Sequence, residues 1–563
     1  MSKYNVKKTP VMPTEVNRMG EKAFKLSDKE ELVSTVMTTF LTDAYYEKES
    51  EVTKRIMGLL DKVDPLFAAK LSLYARGDGK LRSVTHLLAA YVAHMISGAE
   101  WGSRYYNKIV FRPDDMSEIL GCYAKLNGFD VNKLSKIPNS IKRGFKQALE
   151  RLDAYQIDKY KMNTRSISMI DLVNLFHPKG TQKNQEAYRR LMNGESLAGL
   201  YDSKILEKTM TAAGEKTKNA TQKEKDDAKQ EAINEVLSNV KGMPYMNLIR
   251  NLNNILTYAP DQVDEACRQL VIKEKVLNSR LLPFRFATAY AEVEKLSYNA
   301  KAPKTSIMFE SDRSSRTVSE TEFIKLTQKV LNALEDALQI ACLNIPKLDG
   351  NVAILVDHSG SVRGDAGGSS RVSAFSKTTR AMIGNLFASM VAYRQDNVYV
   401  GLFGDRLINV PMDRSKKLLD FNKESYDLGA KCGQSTETGI YEFLRDVIRE
   451  KKKIDNVIVF SDCQIGSTTT KGYSNYGSFT PWYGLSSSDR GGEFQKLFKE
   501  FRKINPNANF IVCNINQTDG NSVFDRSQRI LNIAGWSENI FSLINSQCKG
   551  WDAIIKEIEK IEI

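Results

Sequence analysis

Residues 351–361 read Asn-Val-Ala-Ile-Leu-Val-Asp-His-Ser-Gly-Ser, an apolar run of strand type that ends in a carboxylate and opens into a polar loop. The loop places Asp357, Ser359 and Ser361 at alternate positions. One carboxylate and two hydroxyl groups suit a hard cation such as Mg²⁺, which prefers near-octahedral oxygen ligands and keeps several waters. The stretch therefore predicts a buried strand followed by half of a metal site.

Two later segments supply the remaining ligand types for such a site. The turn-rich loop 432–436 ends in Thr436, and the apolar strand 456–462 ends in Asp462. In an open parallel sheet these strand ends meet at one edge. The alternative is that Asp357 and the two serines only cap the helix that follows, because Asp and Ser are preferred there.

The three loops together resemble the metal-ion-dependent adhesion site of von Willebrand factor A domains. The resemblance implies one divalent cation, Mg²⁺ or Mn²⁺, that recruits an acidic ligand. It also implies the residues that hold the cation, in chain order: Asp357, Ser359, Ser361, Thr436 and Asp462.

The C-terminal part of the chain alternates between strand and helix patterns. Its strand patterns are rich in Val, Ile and Phe without polar alternation, as a sheet covered on both faces requires. This order predicts a doubly wound, Rossmann-like parallel sheet. The predicted strands are 351–357, 397–403, 456–461 and 508–515, and the predicted helices lie near 374–393, 437–450, 492–503 and 549–561.

The N-terminal part has a different period. From about residue 30 to residue 344, apolar residues recur at spacings of three and four, as in Leu32, Val33, Val36 and Met37. Many consecutive helices without strands are typical of an α-solenoid of packed helix pairs. We therefore predict two domains, a helical domain at 15–345 and an α/β domain at 346–563.

Charge is unevenly divided between these parts. Residues 1–344 carry 53 Lys and Arg against 43 Asp and Glu, whereas residues 345–563 carry 28 against 25. A basic surplus in one module predicts a polyanionic partner there, usually a nucleic acid. The alternative is a solvated basic surface that serves solubility.

Composition excludes several classes of protein. With 42% hydrophobic and 26% charged residues, the chain is of ordinary globular type, and it has no apolar run of about 18 residues. The polar N-terminus lacks a secretory signal, so we expect a cytoplasmic protein without a membrane segment. None of the seven cysteines forms a Cys-x-x-Cys pair, which argues against zinc.

Five segments of the helical part resemble the TROVE module of Ro-type ribonucleoproteins, most closely its bacterial members. The resemblance implies a closed, HEAT-like helical ring whose two ends are joined by the A domain, in a monomer. It also implies partners: Y-like RNA on the outer surface, single-stranded 3′ ends of misfolded or precursor RNA in the hole, and an exoribonuclease. The segments are Arg82-Ser-Val-Thr-His-Leu-Leu-Ala-Ala, Phe111-Arg-Pro-Asp-Asp-Met-Ser-Glu-Ile-Leu, Ile137-Pro-Asn-Ser-Ile-Lys-Arg-Gly-Phe, Asp153-Ala-Tyr-Gln-Ile-Asp-Lys-Tyr and Met243-Pro-Tyr-Met-Asn-Leu-Ile-Arg-Asn-Leu.

Candidate RNA contacts are cationic residues on short turns or at helical spacing, where several can point the same way. His86 matches a family position at the RNA surface, although a lone histidine is equally a core or capping residue. Arg250 lies between apolar residues and either pairs with a carboxylate or faces the interior of the ring. The candidates are Arg76, Lys80, Arg82, His86, Arg104, Lys108, Arg112 and Arg250.

No sequence constellation points to catalysis. No nucleophile stands beside a base, and Asp357 and Asp462 have too few neighbouring carboxylates for a two-metal nuclease. We therefore expect a non-catalytic RNA-binding protein that acts in RNA quality control or processing. The alternatives are a metal-dependent protein-interaction scaffold without RNA and a Mg²⁺-dependent nuclease. Segments 214–230 and 466–492 receive no function.

Overall fold

The structure is a computed structural model, and about 70% of the chain is described by it. Lys80, Thr436 and the segment 466–492 lie outside the described residues, and of segment 214–230 only Thr221 and Glu224 are described. The described residues are 15–16, 22–25, 27–38, 49–79, 81–96, 98–128, 137–163, 165–197, 199–201, 221, 224, 231, 240–279, 281, 283–301, 319–345, 347–364, 378–433, 437–462, 493–515, 521–522, 529–534 and 551–563.

The N-terminal module is a succession of helices, as the three- and four-residue spacing predicts. Local signals set their ends: Asp64 accepts a hydrogen bond from the backbone of Leu66 at the start of one helix, where Pro65 follows the cap. The helices are α1 Asp28–Thr38, α2 Glu49–Leu60, α3 Pro65–Gly77, α4 Ser83–Met95, α5 Gly102–Ile109, α6 Pro113–Asn127, α7 Asn139–Glu150, α8 Ala154–Lys159, α9 Met169–Phe176, α10 Gln185–Met192, α11 Tyr245–Arg250, α12 Leu252–Tyr258, α13 Val263–Leu270, α14 Lys273–Ser279, α15 Pro283–Lys301 and α16 Glu320–Ala341.

Helices α5 and α7 pack closely because of one glycine. A Cβ atom at Gly144 would lie 2.5 Å from Cβ of Tyr106 and 2.7 Å from the carbonyl oxygen of Ser103. The rings of Tyr106 and Phe145 meet edge to face, with centroids 5.9 Å apart, and both are buried. The missing side chain thus lets two helix backbones approach while aromatic rings fill the space around them.

The C-terminal domain contains a six-stranded sheet in the order β5-β4-β3-β6-β7-β9. All neighbours are parallel except β4 and β5, which are antiparallel. The four strands expected from the sequence are confirmed, and β5 and β9 are additional edge strands. The strands are β3 Asn351–Asp357, β4 Asn397–Phe403, β5 Leu407–Val410, β6 Asn456–Ser461, β7 Asn509–Asn514 and β9 Ile530–Ala534.

Helices cover both faces of this sheet. Side chains along β3 alternate between two apolar clusters, with Ala353 and Leu355 in one and Val352, Ile354 and Val356 in the other. This burial on both faces explains the uninterrupted apolar run of the strand and confirms the doubly wound architecture. The helices are α17 Gly360–Arg363, α18 Arg380–Arg394, α19 Leu418–Gly429, α20 Glu437–Glu450, α21 Glu493–Ile504 and α22 Trp551–Glu559.

Both ends of the helical module contact the C-terminal domain. At one end, α16 continues through a short 3-10 helix toward β3, and Glu335 of α16 lies 3.5 Å from Nζ of Lys417. At the other end, α1 packs against β9 and α22, and Nζ of Lys29 lies 2.9 Å from Glu559. The helical module is therefore closed into a ring by the α/β domain.

Two short strands near the N-terminus were not predicted. Strand β1, Glu15–Val16, pairs with β2, Lys22–Lys25, and β2 pairs with β8, Asn521–Ser522, of the C-terminal domain. These antiparallel pairs add backbone hydrogen bonds to the ring closure. Among the described helices, none is both long and apolar enough to cross a membrane.

Candidate nucleic-acid interface and metal centre

The metal loop lies at the carboxyl edge of the sheet, where β3 and β6 end side by side. Asp357 is the last residue of β3 and Asp462 follows β6, and both side chains are fully buried. Asp357 accepts hydrogen bonds from the Ser461 hydroxyl at 2.6 Å and from the Ser359 backbone N–H at 2.8 Å. The parallel register of the two strands therefore brings together carboxylates that are a hundred residues apart.

Two hydroxyl groups complete the cluster. The Ser361 hydroxyl donates to Oδ2 of Asp462 and lies 3.2 Å from the hydroxyl of Ser359. Four of the five expected metal ligands are thus adjacent, and the fifth, Thr436, lies outside the described residues. Of the residues that could cap the following helix, Ser359 makes no side-chain hydrogen bond to α17.

The electrostatics of this cluster favour a cation. Burial, and after it the nearby charge of Asp462, raises the pKa of Asp357 to about 7, which favours its neutral form when no cation is bound. A divalent ion would neutralise both carboxylates, and the donors are all oxygens, as Mg²⁺ or Mn²⁺ requires. The residues present therefore fit a hard divalent cation.

Arg380 is a neighbour of the cluster that the sequence did not single out. It begins α18 and is 3% exposed. Burial lowers its pKa to about 10, and the charge of Asp462 opposes that shift. A permanent cation thus lies near the acidic pair. No local motif marks it, because it comes from helix α18, which is separate in sequence from the metal loop.

His358, in the middle of the metal loop, is a neighbour and not a ligand. Its Nδ1 accepts a hydrogen bond from Nη1 of Arg363 at 2.7 Å, and its Nε2 donates to Oδ1 of Asn385 at 3.2 Å. Burial, reinforced by the charge of Arg363, lowers its pKa to about 3, so the ring stays neutral. Both nitrogens are engaged, and a Cβ atom at Gly429 would lie 2.1 Å from Nδ1, so the ring fills its space.

On the helical module, Asp115 organises a buried polar cluster at the start of α6. Its carboxylate accepts hydrogen bonds from Arg76 at 3.0 Å and His86 at 2.8 Å, and from the backbone N–H groups of Phe111 at 3.0 Å and Arg112 at 2.9 Å. Burial alone would raise the pKa of Asp115. The hydrogen bond from His86 and the charge of Arg76 outweigh burial and lower the pKa to about 2.

This cluster corrects the expectation for two of the candidate RNA contacts. Arg76 is 6% exposed and His86 is 3% exposed. Both side chains point inward to Asp115, which is fully buried. The alternative left open for His86, a satisfied core residue, describes its position in this structure. Both residues support the turn at Phe111 and Arg112 and are not surface contacts.

A second carboxylate, Asp114, gathers arginines at the surface. It accepts hydrogen bonds from Arg82 at 2.7 Å and Arg112 at 3.1 Å, and Arg165 lies 3.9 Å away. The three arginine side chains are 36 to 41% exposed, whereas that of Asp114 is 3% exposed. Arg165 also pairs with Glu118. We name Arg82, Arg112 and Arg165 the arginine cluster.

Arg165 was not predicted, because its partners are about 50 residues away in sequence and no local spacing signals them.

Arg104 and Lys108 are exposed but engaged by the chain itself. They donate to main-chain oxygens of Ile563 at 3.1 Å and Glu562 at 2.9 Å. Arg250 is exposed at the end of α11, and Lys80 lies outside the described residues. The eight candidates therefore do not form one surface.

Comparisons with known proteins agree with the resemblance seen in the sequence. The family model for the TROVE domain matches residues 13–236 and 190–350. Telomerase protein component 1 of Rattus norvegicus is 26% identical over 140 residues, and that of Mus musculus is 27% identical over 140 residues. Each match spans 24% of this chain and only 5% of the relative.

A solved structure supports the fold. The crystal structure of the Deinococcus radiodurans RO (RSR) protein superimposes with a TM-score of 0.56 at 14% identity. The superposition covers 92% of this chain and 100% of that one. The architecture of a helical ring with an appended α/β domain is therefore shared along nearly the whole chain.

Proposed function

The chain belongs to the TROVE domain family, and from that membership we propose that it binds RNA as the protein component of a ribonucleoprotein. The arginine cluster is the observation that carries the proposal. Three partly exposed arginines surround one buried carboxylate, so their charge is only partly neutralised by Asp114 and Glu118. Phosphate groups supply most of the affinity in RNA recognition, and planar guanidinium groups hydrogen-bond them in a bidentate manner.

The cluster is also rigid, which favours binding. Arg112 is held by Asp114, and its guanidinium lies 4.9 Å from the ring centroid of Tyr160. Side chains already fixed in place lose less conformational entropy when a ligand arrives. The net charge of +10 over residues 1–344 extends this attraction beyond the cluster.

The finer proposal concerns which RNA is bound and where. We propose that structured, Y-like RNA binds the outer ring surface and that single-stranded 3′ ends of misfolded or precursor RNA enter the hole. A closed ring is compatible with this division, because it offers an outer surface to a folded RNA and an opening through which a single strand can pass. The protein would act in the cytoplasm as a monomer, in RNA quality control or processing, beside an exoribonuclease.

We propose a non-catalytic role for the protein itself. Within the described ranges, no group of three or more His, Cys, Asp or Glu side chains is placed to hold a metal. The cluster at Asp357 and Asp462 supplies only two carboxylates, which suits one structural or ligand-recruiting cation better than a two-metal nuclease. Mg²⁺ or Mn²⁺ bound there would recruit an acidic ligand.

The test compares RNA binding by the wild type and by a triple variant, Arg82→Gln, Arg112→Gln and Arg165→Gln. Glutamine keeps a hydrogen-bond donor, and at position 112 this donor replaces an Nε that already lies 3.1 Å from Asp114, so the buried carboxylate keeps a partner. The control is Arg189→Gln with Arg190→Gln on α10, where both arginines pair with Glu186 at the surface. We expect the triple variant to bind a hairpin RNA at least tenfold more weakly and the control to bind normally.

Three outcomes contradict the proposal. If the triple variant and the wild type bind RNA with equal affinity, measured by gel shift at the same salt concentration, the arginine cluster is not part of the RNA interface. Mg²⁺-dependent shortening of the RNA by the purified wild type supports the nuclease alternative, provided that it is lost in Asp357→Ala. Absence of any RNA binding by the wild type favours the protein-interaction scaffold.

A further inference from the structure

A cleft of about 380 Å³ opens beside the arginine cluster, between the end of α5 and the start of α8. Its wall includes Lys108, Phe111, Arg112, Arg151 and Gln156. None of the described residues that line it is acidic. Its volume lies within the range of about 300–1,000 Å³ that is usual for small-molecule sites, so it accommodates a single nucleotide.

Phe111 presents an open aromatic face in this wall. It is 49% exposed, more than any other large apolar side chain in the described part of the chain. The guanidinium of Arg76 lies 5.1 Å from its ring centroid, and a Cβ atom at Gly77 would lie 3.4 Å from its Cζ. One side of the ring is therefore supported by Arg76 and Gly77, while a large part of its surface is left for solvent.

The buried cluster at Asp115 holds this aromatic ring in place. Asp115 accepts hydrogen bonds from the backbone N–H groups of Phe111 and Arg112. It also accepts one from Arg76, whose guanidinium supports the ring. An exposed phenylalanine is energetically unfavourable in water, and a loop without support would let it turn inward. The polar network thus keeps an apolar face outward in a fixed orientation.

The cations of the cleft are also oriented. Arg151 donates from Nη2 to the carbonyl oxygens of Asn107, at 3.0 Å, and Val110. Arg112 is held by Asp114. Each guanidinium has five N–H groups, and these contacts use only some of them. Donors for an anion therefore remain in the same cleft as the exposed ring.

We propose that this cleft is a subsite for one unpaired nucleotide of RNA, with its base stacked on Phe111 and its phosphate hydrogen-bonded by Arg112 and Arg151. The inference rests on the proposed RNA-binding function and adds a site and a preference to it. An aromatic platform beside cations is the arrangement that recognises single-stranded nucleic acid, because every base has a π-face. A paired base has both faces covered by its neighbours, so the subsite selects loops, bulges and ends.

The experiment measures fluorescence anisotropy of two labelled probes, a single-stranded uridine oligomer and an abasic phosphodiester oligomer of equal length. Phe111→Leu removes the π-face but keeps an apolar side chain, and Phe111→Trp keeps the π-face. Met192→Ala, 44% exposed on α10, is the matched apolar control. We expect Phe111→Leu to bind the uridine oligomer at least about fivefold more weakly, whereas Phe111→Trp and Met192→Ala bind it like the wild type.

The abasic probe separates stacking from charge. Wild type and Phe111→Leu should bind it equally, and thermal unfolding should show both proteins equally folded, because the ring is already half exposed. If Phe111→Leu binds the uridine oligomer as tightly as the wild type, the subsite is refuted while RNA binding stands. If it weakens both probes equally, the ring has no stacking role and the inference fails. If the wild type binds neither probe nor hairpin RNA, the proposed function fails as well.

Discussion

Nε2 of His86 lies 2.8 Å from Oδ1 of Asp115, inside the helical module and away from solvent. The same carboxylate accepts hydrogen bonds from Arg76 and from two backbone N–H groups of the turn that carries Phe111. A buried carboxylate with four donors is fully satisfied, and removing any one donor leaves a costly unpaired acceptor. His86 and Arg76 therefore act on the surface only through the residues that they position.

We predict that His86→Ser destabilises the protein. The substitution removes a donor to a buried carboxylate, which costs about 1–3 kcal/mol in unfolding free energy. The measurement is urea unfolding, with His94→Ser as the control, because His94 lies on the same helix and is exposed. Unchanged stability of His86→Ser, together with weakened RNA binding, would instead make His86 a direct contact.

The stability supplied by Asp115 should depend on pH. Its pKa is about 2 in the folded protein, below the usual value of 3.8. A lowered folded-state pKa contributes stability that is present above about pH 4 and is lost as pH falls through about 2. The full contribution is roughly 2 kcal/mol, at 1.36 kcal/mol per pKa unit.

Comparison with Asp115→Asn isolates this effect. The free-energy difference between wild type and variant should be largest near pH 6 and should shrink as the pH is lowered toward 2. Urea unfolding at several pH values measures it. A difference that stays constant over this range would mean that the charge of Asp115 contributes nothing.

Because α5 and α7 pack closely, one methyl group added between them should destabilise the protein. Gly144→Ala places a Cβ atom 2.5 Å from Cβ of Tyr106, so the helices must separate. We expect the free energy of unfolding to fall by about 1–3 kcal/mol, which is typical of overpacking. Gly121→Ala on α6 is the control, since no atom lies within 4 Å of its added Cβ, and it should stabilise the helix by up to about 1 kcal/mol.

Asp357→Ala should abolish binding of Mn²⁺ or Mg²⁺ while RNA binding survives. The substitution removes one of the two carboxylates of the cluster, and the arginine cluster belongs to the other domain. Calorimetric metal titration and RNA gel shifts measure the two functions separately. The control is Asp396→Asn, whose side chain is 74% exposed beside Lys347. Joint loss of metal and RNA by a folded variant would place the metal site in the RNA surface.

The affinity for RNA should fall steeply as the salt concentration rises. An unpaired 3′ tail on the RNA should raise that affinity. The logarithm of affinity declines with a slope of about −0.7 to −0.9 for each neutralised phosphate. A hairpin with a 3′ tail is predicted to outcompete a blunt hairpin of the same duplex length. Equal competition would argue against entry of single strands into the ring.

Much of the architecture was predictable because it follows from local periodicity. The apolar run of β3 and the three- and four-residue spacing around Leu32 each reflect a regular element with a buried face, and both elements formed as expected. Short edge strands such as β5, Leu407–Val410, carry too few residues to show a pattern. The pairing of β2 with β8 joins segments about 500 residues apart, and no local signal encodes it.

The sequence by itself determined the two-domain order, the α/β sheet and the identity of the acidic loop residues, because backbone periodicity and strand-end motifs are local properties. Only the tertiary structure decided which cations face solvent. Arg76 and Arg112 flank the same turn and look alike in sequence, yet one is buried against Asp115 and the other lies at the surface over Tyr160. Whether such a side chain is buried depends on which helices pack against each other in the ring. That packing is made by residues far apart in the chain.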